Sequence, residues 1–321
     1  MPSLKEIKNR INSVNSTRKI TSAMKMVASS KLHHAQTMIE NMLPYEGMLE
    51  GILKTLVASD VDAQSVYSVT REVKSVAIIA FSSNSSLCGG YNASVINKLL
   101  KSHKEYSDKG IDVTVYPVGR KVSEKVQKLG LKCAGNFDML ADKPNAKDCQ
   151  SIGEEVYSKF LKGEYDRVEI IYHHFKSAGS QILTCKELLP IDLESAMDYD
   201  HFRDLKTVVA NEKTVQYIKD NAQDQQTESK KKAKAINPNY IVEPDMETLL
   251  LTLIPRYINL MVYTALLDSN ASEHAARMVA MQTATDNADE LIHQLNLQFN
   301  KSRQQAITNE LLDIVGGSSN N

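Results

Sequence analysis

Few residues in this chain combine the types and the spacing that chemistry requires. A Gly-rich turn, LCGGYN at 87–92, follows a predicted strand and precedes a predicted helix, where many α/β proteins bind a phosphate group. It matches neither G-x-G-x-x-G nor the G-x-x-x-x-G-K-[ST] of a P-loop. A tight strand-to-helix turn, with Asn92 or Ser94 near the helix cap, is therefore favoured over a nucleotide site.

Histidine and cysteine residues also suggest little chemistry. The pairs His33-His34 and His173-His174 are poor metal sites, because adjacent side chains point apart on a helix or a strand. Cys88 could be a reactive thiol at a helix start, but a small buried side chain is the favoured interpretation. No C-x-x-C pair and no Ser-His-Asp or Cys-His set stands out. We therefore expect no metal, no cofactor and no catalytic residue in this chain.

Composition limits the class of protein. The 321 residues are 42% hydrophobic and 24% charged, and their net charge is −1. These values are typical of a soluble folded protein that no overall field attracts to nucleic acid. No run of about 18 apolar residues is evident, so no transmembrane helix is expected. The charged N-terminus does not predict a secretory signal.

The first 60 residues predict one long coiled-coil helix. Helix breakers are scarce there, and a helix over 3–57 would be roughly 80 Å long. Apolar and small residues recur at three- and four-residue spacing, which is typical of a coiled-coil seam. The seam comprises Leu4, Ile7, Ile11, Val14, Ala28, Leu32, Ala35, Ile39, Met42, Leu49, Leu53 and Leu56.

The N-terminal seam is interrupted by Arg18, Thr21 and Lys25. Apolar residues lie beside them, and a local change of phase would bring these residues into the seam instead. They are Ile20, Met24 and Val27. The interruption is compatible with a second partner for the stretch 19–32, or with a mere adjustment of register.

The C-terminal end repeats the pattern. Between about 245 and 315 there is no Gly and one Pro, Pro255, where a helix of roughly 100 Å could kink. Its seam reads Leu250, Leu253, Tyr257, Leu260, Leu267, Ala271, Met278, Met281, Ala288, Ile292, Leu295, Phe299 and Ala306. Two such helices at opposite ends of one chain most simply pair with each other in antiparallel orientation.

Charge supports this pairing. Residues 1–34 carry seven basic side chains against Glu6 alone, whereas residues 268–313 carry seven acidic side chains against three basic ones. Opposite charges on the flanks of a coiled coil help to set partner and orientation. The acidic residues are Asp268, Glu273, Asp286, Asp289, Glu290, Glu310 and Asp313.

The middle of the chain predicts a different architecture. Strands are expected at 73–80, 111–118, 168–173 and 181–190, with helices at 92–109, 120–129 and 149–162. This order predicts a mostly parallel, Rossmann-like α/β domain. The fold class is thus α/β, a long antiparallel coiled coil plus a central domain. We expect an N-terminal helix at 1–60, the domain at 70–205, a polar insertion at 206–240 and a C-terminal helix at 241–321.

Both ends resemble the γ-subunit family of F-type ATP synthases. The stretch SLKEIKNRINSVNSTRKITSAMKMVASSKL matches the N-terminal helix of that family. The segments EPDMETLLLTLIPRYINLMVYTALLDSNASEHAARMVAMQTATDNADELI and LNLQFNKSRQQAITNELLDIVGG match its C-terminal helix, and LCGGYN matches its central turn. The similarity covers nearly the whole chain apart from roughly 206–238.

The resemblance implies a rotor shaft without catalytic residues. In that family the terminal helices turn inside a hexamer of three α and three β subunits, while the α/β domain meets the ε subunit and the membrane ring of c subunits. The family pattern then implies β-subunit contacts at Lys19, Met24, Lys25, Lys31, Arg303, Gln304 and Thr308, and c-ring or ε contacts at His33, His34, Tyr240 and Glu243. Proton or sodium flow through the ring would drive ATP synthesis.

Several positions depart from the family pattern. Asn84-Ser85-Ser86 replaces a charged segment before LCGG, and His33-His34 replaces a basic pair, which could make that contact sensitive to pH. The end reads GGSSNN instead of GGA. The insertion has no Cys, so regulation by a thiol pair is not expected. Because the motif starts directly at Met1, we expect a bacterial chain, peripheral to the cytoplasmic face of the inner membrane.

Two other functions compete with the rotor. A coiled-coil tethering adaptor predicts a stable homodimer and no effect on any ATPase. A nucleotide- or NAD-binding enzyme predicts saturable cofactor binding by the region 70–205, which the missing glycine fingerprint argues against.

Overall fold

The structure, a computed structural model, describes residues 3–59, 67, 69, 71–191 and 245–318. The expected insertion at 206–240 and the predicted contact residues Tyr240 and Glu243 lie outside these ranges. The elements are α1 (Leu4–Ser59), β1 (Ser75–Phe81), α2 (Tyr91–Ser107), β2 (Asp112–Val118), α3 (Arg120–Lys128), α4 (Asp138–Asp142), α5 (Ala146–Leu161), β3 (Arg167–Ser177), β4 (Ser180–Leu189) and α6 (Met246–Ser318).

The chain divides into two compact units, and both long helices contribute to each. The coil unit comprises Met1–Ala28 and Arg277–Asn321, and the α/β unit comprises Ser29–Ala276. Helix α1 continues through Pro44 and helix α6 through Pro255. The long terminal helices and the four strands predicted from the sequence are therefore confirmed, within a few residues at their ends.

A four-stranded sheet organises the α/β unit. The strand order is β2-β1-β3-β4; β1 is parallel to β2 and β3, and β4 is antiparallel to β3. Six of the seven residues of β1, and of β2, are buried, as expected for parallel strands that are covered on both faces. β4 follows β3 through a short turn, which permits only the antiparallel arrangement.

Helices cover both faces of the sheet. On one face, Val95 and Leu99 of α2 and Val122 and Val126 of α3 pack against strand residues that include Ile78. On the other face, α5, the end of α1 and the first part of α6 form the larger core around Ile79, Phe81 and Tyr116. This second layer places α6 directly on the sheet.

Two glycines permit close packing in the α/β unit. A Cβ on Gly153 of α5 would lie 2.0 Å from Oδ1 of Asn259 on α6, so this residue lets the two helices approach. Gly119 has a φ of 101°, and a Cβ there would lie 2.1 Å from the carbonyl oxygen of Ser82. Both values are far below van der Waals contact, so neither position accommodates a larger residue without movement of its neighbour.

The coil unit is an antiparallel pair of helices. Nη1 of Arg18 lies 2.8 Å from Oδ1 of Asp289, and the hydroxyl groups of Thr21 and Thr285 lie 2.8 Å apart. Residue numbers thus increase along α1 in the direction in which they decrease along α6. Seam residues that are buried here include Ile7, Ala28, Met281, Ala288 and Leu295. The predicted orientation is confirmed, as is a charge pair between the basic and acidic flanks.

The predicted change of phase around Thr21 is wrong. Thr21 is buried and stays in the seam, whereas Ile20 and Val27 are 60% and 57% exposed. The physical reason is that the polar seam residues have partners. The Thr21 and Thr285 hydroxyls lie within hydrogen-bond distance of each other, and each also lies within reach of a carbonyl oxygen of its own helix, so neither hydroxyl is buried without a partner.

Helix α6 also contains a stretch that is long and apolar enough to cross a membrane. It lies within Thr248–Leu312, with a mean hydropathy of 1.4 over 18 residues, so the sequence-based expectation that no such stretch exists was too strict. However, 56% of this stretch is buried inside the protein. That burial is typical of the core helix of a soluble domain.

Candidate functional sites

The strand order defines one place where α/β proteins commonly bind ligands. The chain moves from β1 to β2 on one side and then to β3 on the other side of β1, so the order reverses between β1 and β3. Ligands usually bind in the crevice outside the carboxyl ends of the strands at such a switch point. β1 pairs only as far as Ile171 of β3, so His173 and His174 extend beyond it.

Helix α6 occupies this crevice with hydrogen-bonding groups. Nδ1 of His174 lies 2.7 Å from Oδ2 of Asp268, and the Tyr91 hydroxyl at the start of α2 donates to the carbonyl oxygen of Ser269 at 3.0 Å. The Asn270 amide donates to the carbonyl oxygen of Ala141 at 2.8 Å, and the Ser272 hydroxyl donates to that of His173 at 3.1 Å. We call Asp268, Ser269, Asn270 and Ser272 the polar collar.

Asp268 does not lie on the acidic flank of the coiled coil, where the sequence predicted it. Its side chain is fully buried and bonds to β3, whereas its charge and position predicted a place among the acidic residues on the flank of the coiled coil. Glu273 is also buried, at 6% exposure. The reason is that residues 268–273 belong to the α/β unit and not to the coil unit, where the basic N-terminal part of α1 lies.

The two adjacent histidines have different surroundings. Nε2 of His173 lies 3.0 Å from the Ser94 hydroxyl, and its ring packs 4.6 Å from the ring of Tyr91. His174 instead faces Asp268. Burial lowers the pKa of His173 to about 4, because the charged imidazolium would lose its hydration. His173 is therefore neutral at pH 7, and the two rings do not converge on a shared point.

The Gly-rich turn is held by its own side chains. Oδ1 of Asn92 accepts from the Ser83 amide at 3.0 Å, and its Nδ2 donates to the Ser83 hydroxyl at 2.8 Å and to Sγ of Cys88 at 3.1 Å. Cys88 is 1% exposed, which confirms the expected buried side chain. Gly90 is the N-cap of α2 and has no side-chain cap, and Asn92 and Ser94 lie near it in the first turn, as expected.

Asn84, where the family pattern has charge, also serves the fold. Its Oδ1 accepts from the Arg120 amide at 2.8 Å, and its Nδ2 donates to the carbonyl oxygen of Asp138 and to Asp142. The loop after β1 is thereby joined to the starts of α3 and α4. This segment is occupied by internal contacts.

The residues predicted to contact a β subunit lie at different levels of the helices. In the coil unit, Lys19 is exposed, while Met24 and Lys25 are half-buried. Arg303, Gln304 and Thr308 are exposed, and the Thr308 hydroxyl donates to the Gln304 carbonyl at 2.9 Å. Arg303 is 14 residues beyond Asp289, which is roughly 20 Å along the helix. The structure therefore does not bring these two groups together into one site.

Three other predicted contacts belong to the α/β unit. Lys31, His33 and His34 are exposed on α1. Tyr240 and Glu243 lie outside the described residues. Over the ranges that the structure describes, no three His, Cys, Asp or Glu side chains are arranged to hold a metal ion.

The polar collar was missed in the sequence. The signal that could have revealed it is the run Asp268-Ser269-Asn270 within the most apolar part of α6, where three consecutive polar residues interrupt a buried stretch. Buried polar groups require partners, so such a run predicts contacts with another element. The heptad interpretation hid this signal, because it assigned acidic residues to an exposed flank.

Comparisons with known proteins give one consistent result. The family described as ATP synthase matches residues 3–320. The chain is 49% identical over 319 residues to an ATP synthase gamma chain of Phocaeicola vulgatus and 50% identical over 319 residues to that of Bacteroides thetaiotaomicron. Each alignment covers 99% of this chain and 99% of the relative.

Solved structures share the fold. A chain from the central stalk and c-ring structure of the Tetrahymena thermophila mitochondrial ATP synthase is 26% identical, with a TM-score of 0.56 and coverage of 83% of this chain and 99% of that one. A chain of the Euglena gracilis mitochondrial ATP synthase gives a TM-score of 0.57 at 18% identity, with coverage of 98% and 93%. Given the full-length match to the family and to curated relatives, the chain belongs to the gamma-chain family of the ATP synthases.

Proposed function

We propose that this chain is the central rotor shaft of an F-type ATP synthase. Its coil unit turns inside a hexamer of three α and three β subunits, and its α/β unit joins the ε subunit and the c-subunit ring. Ion flow through the ring, carried by protons or sodium, drives the rotation that leads to ATP synthesis. ATP hydrolysis turns the shaft in the opposite direction.

The observation that carries this proposal is the surface of the coil unit. The seam is satisfied internally by Thr21, Thr285 and the Arg18–Asp289 pair, yet apolar side chains remain outside it. Ile20, Met26 and Val27 are between 57% and 67% exposed. Their surface is available to enclosing subunits. A shaft that presents different residues in different directions can bias identical sites unequally, as coupling requires.

Residues on both helices would contact the β subunits. Lys19, Lys25 and Lys31 supply positive charge around Met24, which suits an acidic segment of a β subunit. Near the end of α6, exposed Arg303 and Gln304 with Thr308 form a second contact group, where the planar guanidinium can engage a carboxylate through two hydrogen bonds. The separation of these groups along the coil suits contacts at two heights of a hexamer.

A second set of residues would meet the rotor ring. We assign c-ring or ε contacts to His33, His34, Tyr240 and Glu243. The exposure of His33 and His34 in the α/β unit is compatible with this role. We also infer that the chain itself supplies no catalytic residue. The complex is associated with the membrane, and we place this chain on the cytoplasmic face of the bacterial inner membrane, peripheral to the bilayer.

Reconstitution tests the proposal. The chain is produced together with the α and β subunits of its own source, and the product is examined by native mass spectrometry and by an ATPase assay. We expect a complex of three α subunits, three β subunits and one copy of this chain, with ATP turnover that depends on it. A stable dimer of this chain, with no effect on ATPase activity, would favour a tethering adaptor instead.

Matched variants test the assigned contacts. Arg303→Ala together with Gln304→Ala should lower ATPase activity or its coupling to ion transport, because both side chains are exposed and free to contact a partner. Gln298→Ala, at another exposed position of the same helix, is the control. Equal activity and equal coupling in both variants would remove these residues from the contact.

A further inference from the structure

The polar collar joins α6 to three different elements within five residues. Asp268 bonds to the side chain of His174 on β3, and Ser272 bonds to the backbone of the same strand at His173. Tyr91 of α2 bonds to the Ser269 carbonyl, and Asn270 bonds to Ala141 of α4. All four contacts lie inside the α/β unit.

These contacts approach α6 from different directions. Successive residues of a helix are rotated by about 100°, so the side chains of Asp268 and Asn270, two residues apart, leave α6 in directions that differ by roughly 200° of rotation. Hydrogen bonds also have strict requirements of distance and angle. Turning α6 about its own axis would lengthen contacts on more than one side at once.

Apolar packing alone would not hold this angle as firmly. Below the collar, α6 packs against the domain through apolar side chains such as Ile254 and Ile258. The hydrophobic effect is itself non-directional, so the angle is held there by steric fit, such as that of Asn259 against Gly153, and the collar adds directional hydrogen bonds to it. Buried polar groups are costly unless they are hydrogen-bonded, and the fully buried Asp268 side chain bonds to His174.

We propose that the polar collar is the torque-bearing joint that fixes the rotational angle of α6 relative to the sheet. Asp268, Asn270 and Ser272 are positioning residues, which keep the α/β unit from slipping around the helix when the rotor works against a load. This inference rests on the proposed rotor function. It goes beyond it by assigning the transmission of torque to four specific contacts.

The chain offers a closely matched pair of variants. Ser272→Ala removes a hydroxyl that donates to His173, whereas Ser269→Ala removes a buried hydroxyl that has no hydrogen-bond partner among the described residues. The Ser269 contact in the collar uses its carbonyl oxygen, which the control leaves in place. Combining Ser272→Ala with Tyr91→Phe removes two of the four collar contacts and leaves the Asp268–His174 hydrogen bond intact.

The experiment measures angular fluctuation in the assembled complex. The α and β hexamer is fixed to a surface, and a bead is attached to the α/β unit through Cys133, which is exposed. Rotation is stalled, and the variance of the bead angle is recorded. With equal contributions of the four contacts to the torsional stiffness of this joint, loss of two should raise the variance that the joint contributes about twofold; coupling between the neighbouring contacts would change this factor. Ser269→Ala should leave it unchanged.

A second readout compares coupling under load. The double variant Ser272→Ala with Tyr91→Phe should hydrolyse ATP normally without an ion gradient. Against a steep gradient it should transport fewer ions per ATP than the Ser269→Ala control. If the double variant does not assemble, Ser272→Ala alone is compared with Ser269→Ala. Equal variance and equal coupling would overturn the collar inference alone. Absence of rotation with the unchanged chain would overturn the rotor proposal and this inference with it.

Discussion

At the scale of single residues, the polar side chains inside this protein are more informative than its apolar ones. His173, Asp268 and Thr21 are all buried, and each has a defined hydrogen-bond partner. Unpaired, each would cost free energy on burial. Their partners therefore reveal which elements the fold must hold in a fixed relation.

His173 should make the α/β unit sensitive to acid. Its pKa of about 4 in the folded protein lies below the ordinary value of 6.5, so the unfolded chain binds a proton first as the pH falls. Stability is complete above about pH 6.5 and declines between there and about pH 4, by up to roughly 3 kcal/mol. Urea unfolding of the full chain at pH 7 and pH 4.5 measures this loss.

His173→Gln tests the assignment of that acid sensitivity. The variant should be less stable at pH 7, since it loses packing against Tyr91, but its stability should fall less steeply toward pH 4.5. His34→Gln, which replaces an exposed histidine, is the control. A slope in His173→Gln equal to that of the unchanged chain would show that other groups cause the acid loss.

Gly119→Ala should destabilise the α/β unit by several kcal/mol. The new Cβ would meet the Ser82 carbonyl oxygen at 2.1 Å, and the φ of 101° is unfavourable for any residue with a side chain. Gly110→Ala is the control, because its φ is also positive, at 74°, but its surroundings are open. If both variants lose equal stability in urea, backbone conformation alone accounts for the effect.

At the scale of elements, the threonine pair tests how the coiled-coil seam is held. Thr21→Val or Thr285→Val alone removes one hydroxyl and should cost about 1 kcal/mol, since the remaining hydroxyl loses a partner. The double variant should cost less than the sum, because both polar groups are replaced by apolar ones. A double-mutant cycle in thermal unfolding measures this; additive losses would show that the two hydroxyls act independently.

The long helices and the strands could be predicted because their signals are local. Scarcity of breakers indicated α1 and α6, and β-branched runs indicated the strands. The sequence could not predict which residues occupy the seam near Thr21. Whether Thr21 or Ile20 is buried depends on Thr285, a residue 264 positions away. The collar was equally invisible to spacing arguments, because Asp268 finds its partner on a strand.

At the scale of the whole molecule, we expect the exposed apolar residues of the coil unit to matter for assembly with other subunits but not for folding of the chain itself. Val27→Ser should change the stability of the isolated chain by less than about 0.5 kcal/mol, because Val27 is already exposed. The same variant should weaken the complex with α and β subunits, measured by its dissociation on dilution. Ala28→Ser, in the buried seam beside it, should lower the stability of the isolated chain more than Val27→Ser does and weaken the complex less.

The pairing of the two ends of the chain also has a consequence for its synthesis. Ribosomes add about 5–20 residues per second, so α1 emerges tens of seconds before the segment that carries Thr285. During that time its seam has no permanent mate within the nascent polypeptide. Because exposed apolar surface makes a nascent chain prone to aggregation, we expect this helix of 56 residues to need shielding by chaperones until the C-terminal helix has been made.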